Sequence, residues 1–462
     1  VRDPSRMAEV LNRVIEKAIR GSAPAQINIP RDYWTQIIDI ELPPIVRLEK
    51  QAGGIEAINK AAKLLSEAKF PVILSGAGVV IGRAIEDCKK LAEKLDAPVC
   101  SGYQHNDSFP GSHPLAVGPL GYNGSKAAME LISKADVVLA LGTRLNPFST
   151  LPGYGIDYWP KKASIIQVDM NSDRIGLTKK VTVGICGDAQ LVAQQLLNKL
   201  SSKAGDTDRQ KRKDLIHKTK SAWLQKLTSL DHEEDDPGTV WNKEARERDS
   251  DRMSPRQAWR AIQSGMPEDV IISSDIGNNC AIGNAYPTFE KGRKYLAPGL
   301  FGPCGYGFPS ILGAKIGCPD TPVIGFAGDG AFGISMNEMS SCARKEWPKI
   351  TMIIFRNYQW GAEKRNSILW FDDNFVGTEL DPELSFAKVA NACGLKGVSV
   401  KTMEETTNAI KQSCEDQKKG ITTFIEVILN QELGEPFRRD AMKKPVKVAG
   451  INKSDMRHQK PE

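Results

Sequence analysis

The sequence lacks the features of a membrane protein and of a strongly charged binding protein. None of its apolar stretches approaches the roughly 20 residues that a membrane-spanning helix needs. Lysine and arginine total 62 against 56 aspartates and glutamates, so the net charge of +6 is small for 462 residues. Aromatic residues are not interleaved with the basic segments, as they are on many nucleic-acid surfaces. We therefore expect no membrane and no nucleic-acid partner, and small anionic ligands fit this charge better.

Paired cysteines and clustered histidines are also absent. The nine cysteines include no C-x-x-C pair, and the five histidines are scattered. A disulfide framework or a structural zinc site would need a closer grouping of these residues. Free, scattered cysteines are typical of a reducing compartment, so we expect a cytoplasmic location.

The opening of the sequence reads as the end of a domain. Val1 is followed by a helix-like segment, MAEVLNRVIEKAIRG, and a strand-like segment, AQINIP. We interpret residues 1–35 as the C-terminal remnant of a domain, and the chain as an N-terminally truncated fragment. Residues 36–54 have prolines, glycines and no helical period, which indicates a linker.

A first complete domain is predicted over residues 55–200. Helical segments alternate there with short apolar runs such as PVILS, DVVLA and SIIQVDM. This alternation is typical of βαβ units and a parallel sheet. Residues 201–253 are rich in charge, with SAWLQKL as the one packed-helix pattern, so we predict a mostly helical, solvated connection.

A second domain of the same class is predicted over residues 254–432. Ser254 suits the N-cap of its first helix and Pro255 the first helical position. The strand patterns DVIISSDIG, TPVIGFAGDG, KITMIIFRN and TTFIEVILN are apolar nearly throughout, as in sheets covered on both faces. Residues 433–462 look like an irregular basic tail. The fold class is therefore α/β, with doubly wound parallel sheets.

Three predicted strands of the second domain end in loops of unusual composition, namely SDIGNN (274–279), GDGAF (328–332) and FRNYQWG (355–361). Ligands bind at the carboxyl ends of parallel strands, so these loops are expected to form one site. An Asp-Gly pair is commonly an ordinary turn. The alternative is that Asp329 binds a divalent cation such as Mg2+, with the side-chain oxygen of Asn357 and the backbone carbonyl of Gln359.

The glycines of the middle loop fit an anionic ligand. Gly328 and Gly330 have no side chain to block an approaching phosphate. The following residues carry helix-start signals, and we predict that Ser335 and Glu338 form a capping box. Backbone N–H groups near a helix start attract anions.

The spacing of these residues resembles that of the thiamine diphosphate enzymes of the acetolactate synthase type. Their cofactor motif is GDG, then about two dozen residues, then an asparagine; here it is GDGAFGISMNEMSSCARKEWPKITMIIFRN. The family often has Asn-Asn where this chain has Arg356-Asn357, so only the second is carried over. The resemblance implies thiamine diphosphate and Mg2+ as cofactors, in a thiamine diphosphate-binding fold with a central nucleotide-binding-like domain. It puts Asp329, Asn357 and Gln359 at the metal, and Gly277, Asn278, Asn279, Gly328, Gly330 and Ala331 beside the diphosphate.

A further segment, GLFGPCGYGFPSILGAKIG, resembles the family stretch whose bulky apolar residue holds the cofactor in a bent shape. Cys304 stands at that position, and we interpret it as a neutral, buried cysteine against the cofactor; a reactive thiol is the alternative. GAGVVIG (76–82) is out of step with the dinucleotide fingerprint, so NAD binding is not expected. Some family members hold FAD in the central domain; whether this chain does stays open, and no redox role is favoured.

Several stretches, including AQINIPRDYWTQ, RNYQWGAEKRNS and WFDDNFVGTELDPELSF, are similar to one branch of that family. Its members are acyltransferases that convert sulfoacetaldehyde and inorganic phosphate to acetyl phosphate and sulfite. Both substrates are anions, so Lys364 and Arg365 are the first candidates to face the reactive carbon, and Arg438 and Arg439 the second. The alternative is that these are surface cations.

The resemblance implies a homodimer or homotetramer, because in the family the active site lies between two subunits. It also implies a catalytic glutamate in a pyrimidine-binding domain, of which residues 1–35 would be the end. That glutamate is absent from this chain, so we expect weak cofactor binding and little turnover. Another thiamine diphosphate enzyme, such as an acetolactate synthase, and a non-catalytic protein of the same fold are the alternatives.

Overall fold

The computed structural model describes residues 1–21, 23–42, 49–200, 207–229, 247–299, 301–370 and 375–432. They form two six-stranded sheets with helices between the strands, and every strand pair is parallel. The predicted α/β class is confirmed. Among the described helices, none combines the length and the apolar character needed to cross a membrane.

The N-terminal segment contains one predicted helix, α1 (Met7–Gly21), but not the predicted strand. Residues 25–30 have no regular secondary structure and pair with no strand of either sheet in the described part of the chain. The strand prediction is therefore wrong, because an extended segment becomes a strand only when a neighbour bonds its amides. The amino group of Val1 instead donates to the carbonyl of Asn28 at 2.7 Å.

The first sheet has the strand order β3-β2-β1-β4-β5-β6. Ile73, Leu139 and Ile166 form one cross-strand row, and all three are fully buried. The strands are β1 (Pro71–Ser75), β2 (Val99–Ser101), β3 (Ala116–Pro119), β4 (Val137–Leu141), β5 (Ser164–Asp169) and β6 (Val183–Cys186). The helices are α2 (Ile55–Glu67), α3 (Ala77–Ile81), α4 (Ile85–Leu95), α5 (Lys126–Ile132) and α6 (Ala189–Lys199).

The connection between the sheets contains a single long described helix, α7 (Thr207–Ser229). It includes the predicted SAWLQKL segment and buries Ile216 and Trp223. Residues 201–206 and 230–246 of the predicted connection lie outside the described residues.

The second sheet has the order β11-β12-β10-β9-β7-β8. Trp259 is fully buried, and its ring centre lies 4.9 Å from that of Phe326 and 5.5 Å from that of Phe355. These contacts pack the first helix of the second domain, Pro255–Gly265, against the sheet. The strands are β7 (Ile271–Ser274), β8 (Tyr295–Leu296), β9 (Val323–Gly328), β10 (Thr351–Arg356), β11 (Lys396–Val400) and β12 (Thr423–Ile428). The helices are α8 (Pro255–Gly265), α9 (Asn278–Ile282), α10 (Gly307–Gly317), α11 (Asp329–Ser335), α12 (Met339–Cys342), α13 (Gly361–Trp370), α14 (Phe386–Ala392) and α15 (Met403–Lys418).

The predicted start of the second domain's first helix is confirmed. The Ser254 hydroxyl accepts from the amide of Gln257 at 3.1 Å, and the Gln257 side chain accepts from the amide of Ser254 at 2.9 Å. Pro255 is the first residue of α8. The two bonds form a capping box, so this boundary was readable from the sequence.

The sequence did not predict three strands, β3, β8 and β11. All three are edge strands. β3 reads AVGP and β11 reads KGVSV. Edge strands bury less surface and tolerate glycine and proline, so their patterns are weaker than those of central strands. The central strands, by contrast, were all predicted.

The strand order brings the three unusual loops together. β9 lies between β7 and β10, and Gly328 is opposite Phe355 in the register. The chain therefore leaves three adjacent strands at one edge of the sheet, which is the usual ligand position in this class of fold.

Candidate functional site

A cavity of about 190 Å³ opens where β7, β9 and β10 end. All three predicted loops contribute to its wall. The lining residues are Ile276, Gly277, Asn278, Asn279, Cys280, Gly302, Cys304, Gly328, Asp329, Gly330, Ala331, Asn357, Gln359, Trp360, Gly361, Ala362 and Glu363. The structure thus brings together ten of the residues singled out in the sequence for the cofactor and the metal, including Cys304.

Asp329 is the buried acid of this cavity. Its carboxylate accepts from the amides of Tyr358 at 2.7 Å and Gly330 at 2.9 Å, and from the Arg356 guanidinium at 3.1 Å. Burial raises the pKa of Asp329 to about 6, although Arg356 acts in the opposite direction. Burial disfavours the charged form of Asp329, and a cation bound at the carboxylate would stabilise that form.

Asn357 and Asp329 lie on the same wall, because the amide of the next residue, Tyr358, binds the Asp329 carboxylate. Tyr358 has a φ of 60°, a left-handed value that is uncommon outside glycine. The amide of Trp360 donates to Thr378 at 2.8 Å and that of Leu380 to Tyr358 at 2.9 Å. These two bonds flank Gln359 and do not use its carbonyl oxygen.

Two glycines leave empty space that a ligand can fill. A Cβ atom built on Gly277 or on Gly328 meets no atom within 4 Å, and both residues line the cavity. Gly277 also needs its glycine backbone, since its φ is 120°. The open space at these two positions fits a group that approaches the backbone closely, as a diphosphate does.

Two buried amide groups at the cavity have atoms without a hydrogen-bond partner among the described residues. These are Nδ2 of Asn278 and Oδ1 of Asn279, in residues that are 6% and 5% exposed. Unsatisfied buried polar atoms are rare in folded proteins and call for a partner. An anionic ligand with its bound cation offers both an acceptor and a positive centre.

At Gly330, which also lines the cavity, packing leaves no room for a side chain. A Cβ atom there would lie 2.8 Å from two atoms of the Trp360 ring. The indole, which also lines the cavity, already occupies the space over this glycine. Gly330 therefore admits Trp360, whereas Gly328 faces open space.

Cys304 lies in the cavity wall but is exposed, which corrects the prediction of a buried cysteine. Its loop is held by Asp275, whose carboxylate accepts from the amides of Gly307 at 2.7 Å and Gly305 at 3.1 Å. Desolvation, followed by the charges of Asp275 and Glu363, raises the pKa of the Cys304 thiol. The thiol is therefore neutral near pH 7, as predicted, and poorly suited to act as a nucleophile.

The predicted capping box of Ser335 and Glu338 is wrong. The helix begins earlier, with Gly328 as N-cap and α11 starting at Asp329 itself. Ser335 ends α11, and its hydroxyl donates to the carbonyl of Gly305 at 3.3 Å. The Ser-x-x-Glu spacing was present, but the helix already begins at Asp329.

The predicted cations of α13 are buried beside the cavity and are absent from the residues that line it. Lys364 forms an ion pair with Glu379, and its ammonium lies 5.4 Å from the ring centre of Phe375. Arg365 donates to the side-chain oxygen of Asn278 at 3.0 Å. Arg438 and Arg439 lie outside the described residues.

Sequence reasoning did not single out four residues that line the cavity or hold its walls: Asp275, Arg356, Trp360 and Glu363. Arg356 was noted only as a departure from Asn-Asn, yet it is 1% exposed and binds Asp329. Its position directly before Asn357 at the end of a buried strand was the available signal. Trp360 lies within the loop 355–361 and Glu363 comes two residues after it, so both could have been included.

Two family models match the chain. "Thiamine pyrophosphate enzyme, central domain" matches residues 58–196, which include the first sheet. "Thiamine pyrophosphate enzyme, C-terminal TPP binding domain" matches residues 275–427, which include the cavity.

Curated relatives match most or all of the chain. It is 76% identical to the probable sulfoacetaldehyde acetyltransferase of Rhizobium meliloti, over 100% of this chain and 78% of that protein. It is 72% identical to the sulfoacetaldehyde acetyltransferase of Roseovarius nubinhibens, over 99% of this chain and 76% of that protein. The probable acetolactate synthase large subunit of Methanocaldococcus jannaschii is 29% identical, over 89% of this chain and 68% of that protein.

Solved structures show the same fold. The thiamine diphosphate-dependent 4-hydroxybenzoylformate decarboxylase of Rhodococcus jostii superposes with a TM-score of 0.70 at 23% identity, over 94% of this chain and 76% of that one. The benzoylformate decarboxylase of Polynucleobacter necessarius gives 0.71 at 17% identity, with the same coverage. The strong matches to curated relatives go further than the fold: the chain belongs to the thiamine pyrophosphate enzymes and, within them, to the sulfoacetaldehyde acetyltransferase family.

Proposed function

We propose that this chain provides the cofactor-binding part of an acyltransferase that converts sulfoacetaldehyde and inorganic phosphate to acetyl phosphate and sulfite. The observation that carries the proposal is the 76% identity to a probable sulfoacetaldehyde acetyltransferase over the full chain, including every cavity-lining loop. The cofactors would be thiamine diphosphate and Mg2+. The cavity supports both, through its open glycine positions, its unpartnered amides and its buried carboxylate.

The metal would be held by Asp329, Asn357 and the backbone carbonyl of Gln359. All three residues line the cavity, and all are oxygen donors of the type that Mg2+ prefers. The Asp329 carboxylate is already oriented by two backbone amides and one guanidinium. The carbonyl of Gln359 is not used by the backbone bonds that flank it. These features favour a preformed site that needs little rearrangement to bind a cation.

The diphosphate would lie against the residues that line the rest of the cavity. Gly277 and Gly328 allow close approach of the backbone, and α9 and α11 begin at those loops. The full set proposed for this role is Gly277, Asn278, Asn279, Gly328, Gly330 and Ala331. Of these, Gly330 acts indirectly, by making room for Trp360.

Thiamine diphosphate, when bound, supplies a carbanion nucleophile and an electron sink for carbon–carbon and carbon–sulfur bond chemistry. This chain's own residues would bind it, orient it and control the charge around it. Cys304 and Trp360 provide two walls of the cavity, and the neutral Cys304 thiol adds no charge there. Arg365 would contribute positive potential from just behind the wall, which favours anionic substrates, whereas the charge of Lys364 is offset by its ion pair with Glu379.

The assembly and the location follow the same proposal. We infer a homodimer or homotetramer in the cytoplasm. Light scattering on the purified chain tests the assembly directly, and a monomer at all concentrations would contradict it. Exposed apolar residues on α1, such as Ile15 at 48% and Ile19 at 69% exposure, are compatible with further contacts of that helix.

The second candidate function is acetolactate synthesis, which the 29% identity to an acetolactate synthase large subunit favours. The two are separated by product analysis with thiamine diphosphate and Mg2+. Sulfoacetaldehyde with phosphate is expected to release sulfite and form acetyl phosphate, whereas pyruvate is expected to yield no acetolactate. Acetolactate without sulfite would reverse the assignment.

A further inference from the structure

The contact between Arg365 and Asn278 joins two segments that are 87 residues apart in the sequence. Asn278 is the first residue of α9 and lines the cavity, whereas Arg365 lies on α13 behind it. Both are nearly fully buried, at 6% and 5% exposure. A charged side chain at this depth has a strong influence on the groups that it touches.

The chemistry of the two side chains fixes the direction of the Asn278 amide. A guanidinium has only donors, so the atom of Asn278 that faces Arg365 must be the carbonyl oxygen. The contact of 3.0 Å between Nη1 of Arg365 and Oδ1 of Asn278 has this polarity. The amide nitrogen is then left as the donor, and it has no partner among the described residues.

We propose that Arg365 is a positioning residue, which orients the Asn278 amide so that its nitrogen donates to a phosphate oxygen in the cavity. This proposal rests on the proposed function, because it needs a phosphate ligand at this site. It assigns Arg365 a role through Asn278 and not through direct contact with a substrate. The phosphate is that of the cofactor or of inorganic phosphate, which share the same acceptor chemistry.

The positive charge strengthens the same arrangement. A guanidinium bound to the amide oxygen polarises the amide and makes its N–H groups better donors. Hydrogen bonds to charged groups are stronger than those between neutral groups. An anion in the cavity therefore benefits from Arg365 without touching it.

The test measures the dissociation constant of thiamine diphosphate by calorimetric titration in Mg2+. Arg365→Met is expected to weaken binding about ten-fold, the effect of losing one hydrogen bond to a charged group. Arg365→Lys, which is also only a donor, is expected to retain most of the affinity. Arg365→Gln can accept as well as donate, so it lets the amide reverse and is expected to behave like Arg365→Met.

A double-mutant cycle separates this role from a purely structural one. If Arg365 acts through Asn278, Arg365→Met is expected to have almost no further effect on affinity in an Asn278→Ala background. Full additivity of the two losses would overturn the proposal. The control is Arg212→Met. Arg212 is also buried and donates to the carbonyls of Asp96 and Lys69, in the domain of the first sheet, so its replacement should leave the affinity unchanged.

A second measurement decides whether the phosphate belongs to the cofactor or to the substrate. An increased dissociation constant for thiamine diphosphate assigns the contact to the cofactor, whereas an unchanged constant with a raised KM for phosphate assigns it to the substrate. No effect on either quantity would overturn the inference while leaving the proposed function intact. Failure of the unaltered chain to bind thiamine diphosphate would overturn the proposed function and, with it, this inference.

Discussion

Replacing Arg356 by methionine removes a buried positive charge at the carboxyl end of β10. The guanidinium lies between two buried carboxylates, 3.1 Å from Asp329 and 3.8 Å from Glu426. It also donates to the carbonyls of Asp381 and Leu384. Methionine has a similar length and no charge, so the variant leaves both acids buried without their cation.

Breaking one buried ion pair by removing a partner costs about 3–5 kcal/mol. Part of this cost is recovered if Asp329 binds a proton, since its pKa is already raised to about 6. In the variant that pKa rises further, so the folded state holds the proton to higher pH than the unfolded state does. The destabilisation is therefore expected to grow as the pH rises through about 6 and beyond.

Native-state hydrogen exchange at the amides of β10 and β12 measures this cost locally. Adding Glu426→Gln to the variant should restore part of the stability, because it removes one unpaired charge. The glutamine oxygen can still accept from the amide of Phe386, and its NH2 group can donate to the Ser385 hydroxyl, which now donates to Glu426. A loss below about 1 kcal/mol in Arg356→Met, or no recovery in the double variant, would refute the reasoning about this ion pair.

Three other predictions concern the cavity. Gly328→Ala is expected to leave stability unchanged and to weaken thiamine diphosphate binding, because its Cβ meets no protein atom and enters the ligand space; equal affinity in titration calorimetry would contradict this. Gly330→Ala is expected to destabilise the protein by about 1–3 kcal/mol in urea unfolding, because the added Cβ is overpacked against Trp360. The control is Gly333→Ala, whose added Cβ meets no atom within 4 Å; its stability should be unchanged or increased. Alkylation of Cys304 by iodoacetamide, followed by mass spectrometry, should be slow at neutral pH, faster in Glu363→Gln and blocked by bound cofactor. Cys318 is exposed and is not part of the cavity wall, so the cofactor should not slow its alkylation.

The central strands and the composition of the site were predictable from the sequence. The runs that became β7, β9 and β10 are continuously apolar, and the polar loops after them were expected to converge. They do, because strand order places β9 between the other two. Asp329 and Asn357 were singled out on residue type and position, and Asn278 and Asn279 through the family resemblance; all four line the cavity.

Contacts between distant segments were not predictable. The capping box at Ser335 was inferred from local spacing, but the tertiary structure starts the helix at Asp329. Gly330 was read as a phosphate-facing glycine, because nothing local indicates that Trp360 packs over it. Arg365 was read as a substrate cation for the same reason, since its partner Asn278 belongs to another loop.

The most direct test of the account is whether Asp329 and Asn357 act together on one divalent cation that the cofactor requires. Thiamine diphosphate is titrated calorimetrically into the unaltered chain, Asp329→Asn and Asn357→Ala, each with Mg2+ and with EDTA. The account predicts binding by the unaltered chain in Mg2+ only, and a large loss of affinity in both variants. Equal binding in EDTA, or unchanged affinity in either variant, would contradict it.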